Sequence, residues 1–279
     1  MVRPLGILVG LGFVAALMWS FLWGAVSFIS EPHEKTAEER FHLHPKEVHF
    51  ASDGAFGKFD NAQLQRGFQV YKEVCSACHS LRLVAFRDLE ALGYTAPEVK
   101  AIAKQWAIEV PDINPDTGEP ATRKALPIDH FPSPYPNEVA ARAANNNALP
   151  PDLSLMTKAR HGGAPYIYSI LTGYAKPPKE FEAEAPANLH YNPYFANLNL
   201  AMPPPLVADG QVTYADGTKP TVDQMAKDVS AFLIWTAEPK LQTRKATGLA
   251  VTIFLILAAV LSYLAYQNVW ADIKKRKHA

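Results

Sequence analysis

The chain has 279 residues, is 48% hydrophobic and carries 27 Lys and Arg against 27 Asp and Glu, an ordinary globular composition with no net charge. Between residues 31 and 271, however, 22 basic side chains face 26 acidic ones, a net of −4 that suits basic partners and argues against nucleic acid. The only cysteines are Cys75 and Cys78, too few for a four-ligand zinc site built from two cysteine pairs.

Pro4 to Ser30 is a run of 27 residues without a charge, longer than the ~20 needed to cross the hydrocarbon core of a bilayer. It exceeds the usual apolar core of a signal peptide and is preceded by the single charge of Arg3. An uncleaved signal anchor is the first expectation for residues 1–30, with cleavage after Ala25 the alternative. The run lacks the Arg and Ser richness of a mitochondrial presequence. A bacterial inner membrane is therefore expected rather than a mitochondrial one. Residues 31–50 are charged and hold His33, His42, His44 and His49 at irregular spacing, which reads as a solvated linker more readily than as a metal site.

The soluble domain is expected over residues 51–240. Asp60 reads as an N-cap with Gln63 at the capping-box position. Leu64, Phe68, Tyr71, Cys75 and Cys78 follow at helical spacing. The helix is expected to close on Cys75-Ser-Ala-Cys-His79, the C-x-x-C-H signature of covalent c-type haem attachment. Spacings of three and four residues put both thiols and the imidazole on one helical face, so two thioethers can form while His79 reaches the iron. A thioredoxin-like dithiol is the rival, disfavoured by His79 and by the absence of a βαβ pattern.

Leu81 to Trp106 reads as two short helices broken around Gly93 and Pro97. The Pro-, Asp- and Asn-rich stretch from Pro111 to Pro136 reads as a surface excursion. A helix is expected over residues 138–144. Another is expected from Asp152, as N-cap, through Arg160 to a stop at Gly162-Gly163. A further helix is expected from Tyr166 to Thr172, bounded by Gly173, and a loop from Lys176 to Asn199. Thr221 and Gln224 form a capping-box pattern before the stripe Met225, Val229, Phe232, Leu233 and Thr236, with Pro239 as the stop. A helix ahead of the haem motif and one at the domain's end form the crossing pair of small c-type cytochromes.

His79 supplies one axial ligand. Among the methionines, Met225 reads as core filler, Met156 as a lesser candidate, and Met202 as the best one, since Ala201-Met-Pro-Pro-Pro205 holds it in an extended loop. His161 and His190 are the imidazole alternatives. An iron with both axial positions filled by protein has no place for substrate, which points to electron transfer.

Ala246 to Ala271 is a second uncharged run, 26 residues long, with Tyr263, Tyr266 and Trp270 toward one end and Lys274, Lys275, Arg276 and Lys277 beyond it. This reads as a transmembrane helix followed by a cytoplasmic basic tail at residues 272–279. Covalent haem attachment takes place outside the cytoplasmic membrane, so the domain is expected on the periplasmic side.

Asn145-Asn-Asn-Ala-Leu-Pro-Pro-Asp-Leu-Ser154, Lys158-Ala-Arg-His-Gly-Gly163, Tyr168-Ser-Ile-Leu-Thr-Gly-Tyr174, Tyr191-Asn-Pro-Tyr194, Ala201-Met-Pro-Pro-Pro205 and Asp228-Val-Ser-Ala-Phe-Leu-Ile-Trp-Thr-Ala-Glu-Pro239 together resemble the cytochrome c1 family, from about Phe50 to the C-terminal anchor. The resemblance implies a mainly α, c-type cytochrome domain with long loop insertions and a transmembrane helix anchor. It implies one covalent haem c, with Cys75 and Cys78 as thioether sites, His79 and Met202 as axial ligands, and Arg160 with Tyr166 near a propionate. A guanidinium is suited to holding a carboxylate in a partly buried pocket. The implied role is the electron-carrying subunit of the ubiquinol:cytochrome c oxidoreductase, with no bond chemistry on this chain. The partners implied are cytochrome b, a Rieske iron-sulfur protein and a soluble or membrane-tethered cytochrome c, in a dimeric complex within the lipid bilayer. A free membrane-bound cytochrome donating to a terminal oxidase is the alternative. Glu180, Glu182 and Glu184 are candidates for an acidic docking rim. The family pattern has a cleaved presequence, so a retained N-terminal helix would depart from it. Cys75 and Cys78 are the only cysteines, so the extra stabilising disulfide of some relatives cannot form.

Overall fold

The computed structural model describes residues 2–30, 35–182 and 188–277. It divides into a unit ending at His42 and one beginning at Leu43. In the first, α1 (Val2–Ser30) is apolar around its whole circumference, and Arg3–Ser30 is long and apolar enough to cross a membrane. α2 (Ala37–Phe41) is a single turn within the tract expected as linker. Its capping box explains it: Glu39 N donates to Thr36 Oγ1 and Thr36 N to the Glu39 carboxylate. His33 lies outside the described residues.

In the second unit, residues 43–50, also expected as linker, are pinned to the domain. Leu43 N donates to the Pro193 carbonyl, and Lys46 donates from its backbone to Ser169 Oγ and from Nζ to Thr172. Phe50 is buried. α3 (Asn61–Glu73) begins at Asp60, whose carboxylate accepts from Ala62 N and Gln63 N, and it buries Leu64, Gly67, Phe68, Val70 and Tyr71. A 3-10 turn follows at Cys75–Ala77. A second 3-10 stretch, Phe86–Leu92, ends at Gly93, whose φ of 99° lies in the left-handed region that glycine tolerates. α4 (Ala96–Gln105) then starts with a Thr95 to Glu98 capping box.

The Pro-rich excursion differs from expectation in two ways. It contains an antiparallel hairpin, β1 (Val110–Ile113) paired with β2 (Pro120–Arg123), and its return stroke enters the core. Phe131 is buried there, 4.2 Å from the Phe86 ring and 5.0 Å from the Trp106 ring between centroids. Backbone bonds from Phe86 to Asp129 and from Phe131 to Val84 hold the stroke in place. α5 (Glu138–Ala144) lies where the sequence puts it, capped by Asn137.

α6 (Met156–Ala159) is one turn, and α7 (Gly163–Thr172) starts at the glycine expected to stop the preceding helix. Gly162, at φ 83°, is its N-cap. The expected loop after Lys176 holds a short helix, α8 (Lys179–Glu182), and a small ladder of β3 (His190–Tyr191) with β4 (Asn199–Leu200). α9 (Val222–Ala237) is capped by Thr221 accepting from Gln224 N; the Gln224 side chain turns instead to Asp228.

α3 and α9 cross at the centre of the core. The crossing is close because Gly67 faces the backbone of Asp228, where any side chain on Gly67 would overlap the carbonyl oxygen. Around it Phe68 meets Tyr94, Phe131 and Phe232 with ring centroids 5.9, 6.1 and 5.7 Å away. Each such pair contributes about 0.5–1.5 kcal/mol beyond its buried area. The crossing also carries an ion pair: Arg66 Nε donates to Asp228 at 2.9 Å and Nη1 to Asp216 at 2.6 Å, with the Asp228 side chain wholly buried.

Three residues after α9, α10 (Leu241–Lys277) begins and runs on without a break, earlier than the residue 246 suggested by charge. Leu241–Ala271 is long and apolar enough to cross a membrane. The helix is bound to the domain at its start. Lys245 Nζ donates to the carbonyls of Ser52 and Gly54 at 2.6 Å and of Gly57 at 3.3 Å, and Arg244 pairs with Glu238, which also holds Lys158.

Candidate functional site

The Cys75 to His79 motif lies just past the last helical turn rather than within it. Val74, the C-cap of α3, donates its N–H to the Val70 carbonyl, and Ser76 Oγ donates to the Lys72 carbonyl, covering a helix-end acceptor. From there Cys78 N and His79 N both donate to the Cys75 carbonyl, at 3.1 and 2.9 Å. The motif thus closes on a tight turn rather than on the helical backbone expected. Cys75 and Cys78 are free and half-buried.

His79 is fixed from two sides that the sequence did not announce. Its Nδ1 lies 2.8 Å from the Pro151 carbonyl, and its own carbonyl accepts from the Tyr71 hydroxyl at 3.0 Å. A carbonyl only accepts, so Nδ1 carries the proton and the lone pair sits on Nε2, the tautomer of a metal-binding imidazole. Burial holds the ring below its ordinary pKa, against the opposing Pro151 carbonyl and Asp152. Neutral imidazole is the ligating form.

Asp152, expected as a helix N-cap, does something else. Its carboxylate accepts from Ser80 Oγ at 2.8 Å, Arg82 N at 2.7 Å and Ser154 N at 3.0 Å, while Leu153 N donates to the Ser80 carbonyl. It thereby ties the segment behind His79 to the segment that carries Pro151. Burial alone would raise its pKa, but the donors from Arg82, Ser154 and Ser80 bring it below the ordinary carboxylate value. The Asn-Asn-Asn-Ala-Leu-Pro-Pro-Asp run that precedes it was the available signal, since Asn146 and Asn147 take positive φ values of 52° and 63° to turn the chain there.

Among the candidate axial methionines, Met225 and Met156 are buried in the hydrophobic core. Met202 is partly buried at the head of the proline run, with its carbonyl accepting from the Tyr174 hydroxyl at 3.0 Å. His161 is exposed and His190 half-buried in β3. Arg160 and Tyr166 come together across the turn into α7. Burial raises the Tyr166 pKa, and the charge and hydrogen bond of Arg160 partly oppose it. Glu180 is exposed, whereas the Glu182 side chain and Glu184 lie outside the described residues.

This donor set fits a covalently held haem: two free thiols three residues apart, a tautomer-fixed imidazole beside them, a partly buried thioether and an Arg–Tyr pair. The alternatives fit less well. Among the described residues no group of three or more His, Cys, Asp or Glu is placed to hold a metal ion. A reactive dithiol needs a lowered thiol pKa, but burial, with Cys78 adding to it, pushes Cys75 up to about 12.

Residues 50–273 match the model of the Cytochrome C1 family. A mitochondrial haem protein of Solanum tuberosum, cytochrome c1-2, is 47% identical over 225 residues, covering 80% of this chain and 84% of the relative. Cytochrome c1 of Rhodospirillum rubrum is 47% identical over 236 residues, 79% and 85% of the two chains. The Candida albicans relative, named as the catalytic subunit of the mitochondrial cytochrome b-c1 complex, is 46% identical over 235 residues, 84% and 80% of the two.

Proposed function

The chain belongs to the cytochrome c1 family, and from that membership and the donor set we propose that it is the haem-carrying electron-transfer subunit of a cytochrome bc1 complex. The observation that carries the reading is the Pro151 carbonyl on His79 Nδ1, which leaves the lone pair on Nε2 in a motif that also holds two free thiols.

In this reading Cys75 and Cys78 would hold the haem through thioethers, His79 Nε2 and Met202 Sδ would ligate its iron, and Arg160 with Tyr166 would hold a propionate. A bound haem supplies a one-electron ferric/ferrous couple. The chain's own residues contribute a fixed neutral imidazole, a thioether that favours the reduced state, and exclusion of substrate from the iron. No bond chemistry is assigned to this chain. It would take one electron from a Rieske iron-sulfur protein, beside cytochrome b, and pass it to a cytochrome c. The mild negative balance of residues 31–271 supports a basic acceptor. Covalent attachment outside the cytoplasm, the bacterial relative and the basic stretch at the C-terminal end of α10 support a periplasmic domain on a bacterial inner membrane, anchored by α10.

The test is purification in mild detergent. The c-type haem should stay on the polypeptide after denaturation and should travel with b-type haem and an iron-sulfur centre. Removal of both thiols by C75A/C78A should abolish the denaturation-resistant haem stain. A c-haem protein running alone would overturn the complex reading, and haem lost on denaturation of the unaltered chain would overturn covalent attachment.

A further inference from the structure

The carbonyl of Met202 has an awkward position. Three prolines follow it, so the next three residues offer no N–H, and a residue before proline is pushed into extended backbone. The turn donor three residues on is lost because Pro205 has no N–H, and Tyr174 pairs the carbonyl with its hydroxyl at 3.0 Å. The phenol is aimed by the end of α7. Gly173, at the C-cap, is crowded by the Ser169 carbonyl and the Tyr194 ring, whose Cε2 would lie 2.8 Å from any Cβ there. The chain turns tightly at that point, and Tyr174 leaves α7 in a set direction.

The approach to Met202 is built onto the same helix end. Asn192, fully buried, donates from Nδ2 to the Ile170 carbonyl at 2.8 Å, while its backbone N–H donates to Leu198 at 2.8 Å. Ala175 N reaches the Tyr191 carbonyl, which joins the segment after Tyr174 to β3. β4 then ends at Leu200, two residues before Met202. Beyond Met202 the Gln211 side chain brackets the loop, accepting from Val207 N at 3.0 Å and donating to the Pro205 carbonyl at 2.7 Å. Those bonds set the path of the loop, and the phenol alone among them acts on Met202 itself.

We infer that Tyr174 is a positioning residue for Met202: its hydroxyl holds the Met202 carbonyl so that the thioether is presented in one direction. The inference rests on the reading of Met202 as axial ligand. Burial raises the Tyr174 pKa above the ordinary phenol value, so the hydroxyl stays a donor across the working pH range. α7 then carries the Arg160 partner Tyr166 in its first half and the Met202 partner just past its end. One helix sets two separate features of the site.

The test compares Y174F, M202L and Y168F in the full chain purified with its complex in mild detergent. Tyr168 lies on the same helix but donates to Asp223, so Y168F removes a phenol bond without touching Met202. The readouts are haem retained after denaturation, the red-edge absorption of ferric iron bound to thioether sulfur, and the midpoint potential. Y174F should keep haem attached while the red-edge band weakens and the midpoint falls. A tenfold loss in preference for the ferrous ligated state corresponds to a fall of about 59 mV for one electron. Y168F should leave both unchanged. If M202L leaves the band intact, the ligand assignment fails and this inference with it. If M202L removes the band while Y174F matches the unaltered protein in band and midpoint, the positioning role alone is overturned. Should Y174F not assemble, Y174Q keeps a donor and Y174L does not; equal bands in those two variants would also overturn it.

Discussion

Gly67→Ala should destabilise the domain even though alanine is the better helix former. A Cβ on Gly67 would overlap the Asp228 carbonyl oxygen and lie 2.7 Å from the Phe232 Cβ, both on the facing helix. Ordinary contact begins at 3.4 Å, so relieving the Phe232 contact alone would part α3 and α9 by 0.7 Å, and the nearer Asp228 oxygen would demand more. A radial gap of roughly 0.5–1 Å already forfeits a quarter to a half of the dispersion well for each facing atom pair. Forced overpacking costs about 1–3 kcal/mol, and the upper end applies because one obstructing atom belongs to the main chain. Replacing an interior helical glycine returns about 1 kcal/mol. The net loss is then about 2 kcal/mol, or roughly 4–8 °C in Tm for a domain of this size. Thermal unfolding by circular dichroism, on protein of matched covalent haem content, measures it. An unchanged or raised Tm would show that the two helices do not meet as closely as described. Gly248, with open space around it, supplies the contrasting substitution, which should not lower Tm.

Arg66→Met should leave the Asp228 carboxylate buried without its cation, at a cost of about 3–5 kcal/mol in urea unfolding, and R66M/D228L should recover most of that. Near-equal midpoints for R66M and the unaltered protein would remove the ion pair from the account of the crossing. Asp129 gives the pH prediction. Hydrogen bonding to Arg123 holds its pKa below the ordinary value, with burial opposing and Leu126 N assisting. A depressed folded pKa contributes stability that is present above the unfolded value of about 3.9 and lost as pH falls through the folded one. The stability difference between the unaltered protein and D129N should therefore shrink on acidification below about pH 4; a difference independent of pH would refute the assignment.

The parts of the fold that could be read from the sequence are those with local causes. α3 and α9 have apolar stripes and side-chain caps within a few residues, Gly93 ends its helix by its own φ, and the two uncharged runs are helices by length alone. What escaped has distant causes. Asp152 looked like a cap because its partners, Ser80 and Arg82, are about 70 positions away in the chain. Phe131 sits in a stretch whose composition says loop, and the Phe86 and Trp106 rings that draw it inward are not its neighbours in sequence. Lys46 reads as linker in sequence because Ser169 and Thr172, which bind it, lie more than 120 residues on. In the candidate site, Cys75, Cys78 and His79 were legible from their spacing. The Pro151 carbonyl and the Tyr71 and Tyr174 hydroxyls were not, since main-chain acceptors carry no signature.

The grip of Lys245 on three carbonyls bears on how such a protein shares work with its neighbours. A head joined to its span by a floppy tether can wander over several nanometres and seek out whatever it must meet. Here only three residues separate α9 from α10, and the ammonium locks the base of α10 to the turn just ahead of α3. Set in a bilayer, the domain would stand at one height and one azimuth, like a post rather than a swinging arm. Whatever travel is needed to bring donor and acceptor within tunnelling range would then fall to the molecules on either side of it.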